Sequence, residues 1–175
     1  FLKYELDQYL NGRAFDSKEP AIIATEGNEQ FIVYNKAGHT LFTLSDLIGE
    51  EIFHKALGKF IKKFRYQFDP YPNIGQFITA IREETPEDLQ YLITDTFEKI
   101  TLYENKAKLA NAFENPDGSY TLNLEVEAKK VYSDSLGVQT TAELGDWLEI
   151  GVMGEEKING KKEEIPIYIE KVFIT

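Results

Sequence analysis

Two histidines, no cysteines and thirty acidic residues set the chemistry open to this 175-residue chain. His54 follows Glu51 in a Glu-x-x-His spacing, which di-iron helical bundles use. Such a site needs a second copy and two more glutamates on facing helices, and no second copy is present. His54 therefore reads as a partly exposed helix histidine, and His39 as a packed or lightly exposed one. Ser45, Ser119 and Ser133 stand in no nucleophile-elbow context and have no neighbouring histidine base. No phosphate-binding or dinucleotide glycine fingerprint occurs. Asp117 beside Gly118 lacks the remaining positions of a calcium loop and reads as a turn. One chemical group is left over. Tyr34, in Phe31-Ile32-Val33-Tyr34-Asn35-Lys36-Ala37-Gly38, puts a phenol where a strand-like run passes into a helix, crowded by small residues.

The elements that would position these groups follow from periodicity. Residues 1–12 form a short amphipathic helix that stops at Asn11-Gly12. Residues 13–30 are a polar loop with one brief strand at Ala21-Ile22-Ile23. A helix over 34–48 ends at Gly49. A third, over 50–66, opens on Glu50 and Glu51, which suits the positive end of a helix dipole. Asp69-Pro70-Tyr71-Pro72-Asn73 breaks the chain, and residues 74–85 form a fourth helix. Thr85 is the N-cap candidate for a fifth, with Pro86 at the first helical position. After Lys99 the period changes to two. Tyr120, Leu122, Leu124 and Val126 alternate with polar residues as a strand with one wet face. Asn115-Pro116-Asp117-Gly118 and Asn159-Gly160 mark hairpin turns. The expected class is α+β, with a helical part over 1–98 and a β part over 99–175. The two expected apolar clusters are Leu44, Phe53, Leu57, Phe60, Phe77 and Leu89 in the first, and Leu122, Leu124, Trp147, Ile150 and Ile167 in the second.

Composition narrows the partners. The chain is 42% hydrophobic and 13% aromatic, enough to bury a core. A net charge of -11 argues against nucleic acid and against an anionic membrane surface. No apolar run approaches the roughly 20 residues that cross a bilayer.

The order of motifs resembles one family. Residues 33–66, from Val33 through Tyr34-Asn35-Lys36-Ala37-Gly38 and Gly49-Glu50 to Phe53, Phe60, Phe64 and Tyr66, are similar to the segment that follows the zinc site in gluzincin zinc aminopeptidases, the aminopeptidase N family. Pro70-Tyr71-Pro72, Glu84-Thr85-Pro86, Leu89-Gln90 and Ile100 to Glu104 follow in the order of a bacterial branch fused to a transporter-type permease. Ala37 stands where many relatives carry glycine. The resemblance implies a helical C-terminal part of a thermolysin-like catalytic domain, then a small antiparallel β-sandwich-like domain. It also implies that Tyr34 is the catalytic tyrosine whose hydroxyl stabilises the oxyanion formed from a peptide substrate. The family's His-Glu-x-x-His ligands do not occur here. The expectation is a fragment that holds no metal and is inactive alone, with zinc carried by a missing upstream lobe of the parent. Exposed apolar surface near Phe1 and Tyr34 would then favour self-association. The parent is expected to be anchored in a bacterial inner membrane. The alternative is a non-catalytic peptide- or partner-binding domain of a transporter-associated protein.

Overall fold

The computed structural model describes residues 1–175 and mixes helices with small antiparallel sheets. The chain divides into two units, Phe1–Leu102 with Tyr132–Thr140, and Tyr103–Val131 with Thr141–Thr175.

The first unit opens with α1 (Leu2–Phe15), which runs through Gly12 rather than ending there. Gly12 is a packing residue. A Cβ at that position would stand 2.4 Å from Cβ of Phe31. The loop beyond α1 contains a 3-10 turn, Ile22–Ala24, in place of the expected strand, and its one buried side chain is Ile22. Residues Phe31–Lys36 form a π-helical turn that runs directly into α2 (Ala37–Ile48). The β-favouring run Phe31-Ile32-Val33-Tyr34 is thus not a strand. Packing overrides local preference, because Ile32 is completely buried in the helical core.

Gly49 ends α2 with φ 95°, a conformation that costs glycine little. It leads straight into α3 (Glu50–Phe64). α4 (Ile74–Arg82) starts at a capping box in which the Asn73 side chain accepts from the Gln76 N–H and the Gln76 side chain accepts from the Asn73 N–H, each at 3.0 Å. Thr85 does not cap a following helix. Its hydroxyl donates to the Ile81 carbonyl at 2.8 Å, closing α4, and the chain continues through a 3-10 turn (Glu87–Leu89), α5 (Gln90–Ile93) and a second π turn (Thr94–Glu98).

Ile32, Leu44, Ile48, Phe53, Ala56, Ile78, Ile81, Ile93 and Phe97 form the core of this unit, with Leu57, Phe77 and Leu89 packed against it half-buried. Phe77 links the helices, meeting Phe60 edge-on at 5.4 Å and Phe97 at 6.3 Å. Asp95 is buried and accepts the Tyr132 hydroxyl at 2.7 Å.

Seven strands follow α5: β1 (Ile100–Tyr103), β2 (Lys106–Glu114), β3 (Tyr120–Glu127), β4 (Lys130–Ser133), β5 (Gln139–Thr141), β6 (Asp146–Ile158) and β7 (Lys161–Ile174). They form a sheet ordered β1-β4-β5 and two antiparallel hairpins, β2-β3 and β6-β7. The β6-β7 turn is Asn159-Gly160, both residues in the left-handed region that a tight hairpin requires.

The second unit does not bury the expected apolar cluster. Leu122, Leu124 and Trp147 are exposed, and Ile167 is 68% exposed. A two-stranded ribbon has no sheet neighbour to cover its apolar face. What this unit buries is Lys130, Val131 and Asp146. The Lys130 ammonium donates to both Asp146 oxygens at 3.1 and 3.0 Å, and the Tyr103 hydroxyl donates to Asp146 Oδ1 at 3.1 Å.

Candidate functional site

Tyr34 lies in the fourth position of the first π turn, and its ring is 70% exposed. A π turn holds one extra residue per turn, a feature that recurs at functional sites because it re-aims a side chain. The residues around Tyr34 are tied down. Asn35 donates from Nδ2 to Glu5 Oε2 at 2.6 Å. His39 Nε2 lies 2.7 Å from the Leu2 carbonyl oxygen. Lys36 forms an ion pair with Glu19. Tyr34 is thus an exposed phenol on a turn whose following residues are tied to α1 and to the loop after it.

Glu19 is the centre of that clamp. Its side chain is almost wholly buried, and it accepts Tyr9 Oη at 2.9 Å and Arg13 Nε at 2.8 Å besides Lys36 Nζ. Burial by itself would push the Glu19 carboxyl up. The Lys36 hydrogen bond and charge, with the Tyr9 and Arg13 donors, outweigh it and hold the carboxyl below its ordinary range. Tyr9 is pushed well above the usual phenol value by burial and then by the carboxylate it bonds. The Lys36 ammonium also stands 5.7 Å from the centre of the Tyr9 ring. Periodicity offers no sign of Glu19, which lies in a polar loop beside Pro20. Its partners come from two separate stretches of chain, α1 and the π turn.

An open groove of about 490 Å³ lies between α1 and the start of the π turn, lined among others by Gln8, Asn11, Phe15, Gln30, Phe31 and Asn35. Tyr34 is not among its lining residues. The second unit has a larger cleft of about 670 Å³ between its two hairpins, walled by Tyr120, Leu122 and Leu124 on one side and Ile150, Val152 and Tyr168 on the other.

No family model, curated protein or solved structure matches this chain.

No group of three or more His, Cys, Asp or Glu side chains could hold a metal ion. The His39 ring nitrogen is engaged by a backbone carbonyl. His54 is exposed on α3 with its ring 6.2 Å from Phe53. These residues do not fit a catalytic zinc, which takes three protein ligands in tetrahedral array. No helix is long and apolar enough to cross a membrane.

Proposed function

We propose that these residues are part of a zinc aminopeptidase of the gluzincin type, with the metal ligands supplied from outside the 175 residues. In this reading the first unit is the helical C-terminal part of a thermolysin-like catalytic domain, and the second is its β-sandwich-like neighbour. Tyr34 is the catalytic residue carried here. Its hydroxyl donates a hydrogen bond to the oxyanion that forms as a peptide carbonyl is attacked, and a fixed donor in that position lowers the barrier more than it tightens substrate binding. The observation that carries the reading is the exposed Tyr34 ring on a turn clamped by Asn35, Lys36 and His39. Phe1 and Phe15, 84% and 93% exposed at the two ends of α1, support docking of a metal-bearing lobe beside it.

Tyr34→Phe in the complete protein tests this. The substitution keeps the ring and removes one donor. Expected is a loss of about 10²–10³ in kcat on an aminoacyl anilide, with KM nearly constant. Normal turnover in the variant overturns the assignment.

The apolar cleft of the second unit favours a second reading, a non-catalytic domain that binds peptides or a transporter partner. A complete protein that turns over no aminoacyl substrate, yet binds peptide less well after Leu122→Asp, would replace the first reading with this one.

A further inference from the structure

The C-terminal end of α3 and the turn after it bring together cationic and aromatic surface. Lys55 and Lys59, on the preceding turns of α3, both sit on Glu84. Lys62, Lys63 and Arg65 are exposed and have no carboxylate partner. Asp69 is the one acid between Lys62 and Pro72. Tyr66, Phe68 and Tyr71 stand 84%, 71% and 71% exposed on the same turn.

The cations lie beside the rings. Lys63 Nζ is 5.2 Å from the centre of the Phe64 ring, and Arg65 Cζ is 5.9 Å from that of Tyr66. Tyr66 adopts φ 65°. A left-handed backbone at a bulky residue costs on the order of 1 kcal/mol, and here it leaves the ring in water. The Gln67 N–H donates to the Phe64 carbonyl at 3.1 Å, so the turn has its own backbone closure.

We propose that this end of α3 is a docking surface for an anionic lipid bilayer. The chain as a whole carries -11 and is repelled by such a surface. Screening limits that repulsion to about 8 Å at physiological ionic strength, so the groups nearest the bilayer decide the contact. Three cations against Asp69 and Glu83, the latter lining a groove with Lys63, leave those groups net positive. Exposed tyrosine and phenylalanine rings partition into the headgroup region, and basic side chains meet its anionic lipids. An acidic peptide would satisfy the cations and leave the three rings wet. A single nucleic-acid strand needs cations and rings alternating along a groove, and here they cluster at the end of α3 and in the short segment after it. Only the bilayer uses both sets.

Vesicle co-sedimentation of the chain tests this. Phosphatidylcholine vesicles with about one-third phosphatidylserine are expected to bind it at low salt and release it at high salt, and pure phosphatidylcholine vesicles to bind only traces. The combined Lys62→Gln, Lys63→Gln, Arg65→Gln variant is expected to bind about a hundredfold more weakly, about fivefold per cation removed. Lys106→Gln with Lys108→Gln, on β2, should leave binding unchanged. Tyr66→Ser with Phe68→Ser and Tyr71→Ser should weaken binding at every salt concentration. If the triple charge variant loses helix content by circular dichroism, Lys62→Gln and Arg65→Gln are compared singly, each expected to bind about fivefold more weakly. The proposal is overturned by equal binding to neutral vesicles, by no binding at low salt, or by charge variants that bind as the parent does. Tighter binding to polyglutamate or to oligothymidine than to vesicles also overturns it.

Discussion

The ammonium of Lys36 rests on the carboxylate of Glu19, seventeen positions earlier in the chain. Because Glu19 also takes donors from Tyr9 and Arg13, one carboxylate fastens the polar loop to α1 on one side and to the π turn on the other. The phenol of Tyr34 is two residues from that fastening. The position of its backbone therefore depends on a carboxylate outside the turn.

Glu19→Gln should cost about 2–3 kcal/mol of stability, since it strands two cationic donors around a neutral amide in a nearly buried position. Chemical denaturation of the chain checks the size. A double-mutant cycle with Lys36→Met should show a coupling of at least about 1 kcal/mol, and additive losses would mean that the pair contributes nothing.

The same group predicts an acid limit. The Glu19 carboxyl is held below its ordinary value of 4.5 in the folded chain. A depressed carboxyl contributes stability above the unfolded value, and that contribution is lost as pH falls through the folded one. Tyr9 has the opposite sign, because its phenol is raised above the ordinary 10.0 by burial and by Glu19. Its contribution is present below the unfolded value and declines as pH rises beyond it. Melting temperature should thus be flat between those limits and fall outside them. Glu19→Gln should flatten the acid side.

Gly12→Ala should destabilise the chain although it improves helix propensity. Alanine in a helix interior gains about 1 kcal/mol over glycine. The new methyl, however, falls within 2.4 Å of Phe31 Cβ, an atom fixed to backbone, so α1 or the π turn must move. Overpacking of this kind costs about 1–3 kcal/mol. A net loss of about 1 kcal/mol is expected in thermal unfolding. A gain would show that α1 is free to shift.

Asp146→Asn should be among the most damaging single changes in the second unit. It takes the paired carboxylate away from the buried Lys130 ammonium, a loss of about 3–5 kcal/mol. Adding Lys130→Met removes the buried cation, while the asparagine oxygen still accepts from Tyr103. At least half of the loss should return in the double variant, measured by urea unfolding.

Elements with one strong period were legible before the fold was known. α3 and the strand Tyr120–Glu127 fall where their apolar spacing puts them, and Asn159-Gly160 makes the expected turn. The misreadings share a cause. At Phe31–Tyr34 a β-favouring run is overruled by burial of Ile32, and at Gly12 a helix-stop residue is used for contact. Both are decided by contacts distant in sequence, Ile32 with the helical core and Gly12 with Phe31 nineteen residues on, which no local window contains. Tyr34 drew notice through its neighbours in sequence. Glu19 did not, because its partners are assembled only by folding. Leu122, Leu124 and Ile167 have the spacing of a core face, but spacing cannot reveal that two two-stranded ribbons leave an open cleft between them.

The chain leaves the helical unit at Leu102, re-enters it for Tyr132–Thr140, and leaves again. No single cut separates such units. Truncation after Lys99 would remove the Tyr132 hydroxyl that donates to the buried Asp95 carboxylate. Gene fusion or recombination at one breakpoint therefore cannot transplant one unit without part of the other. The two must be inherited as a block.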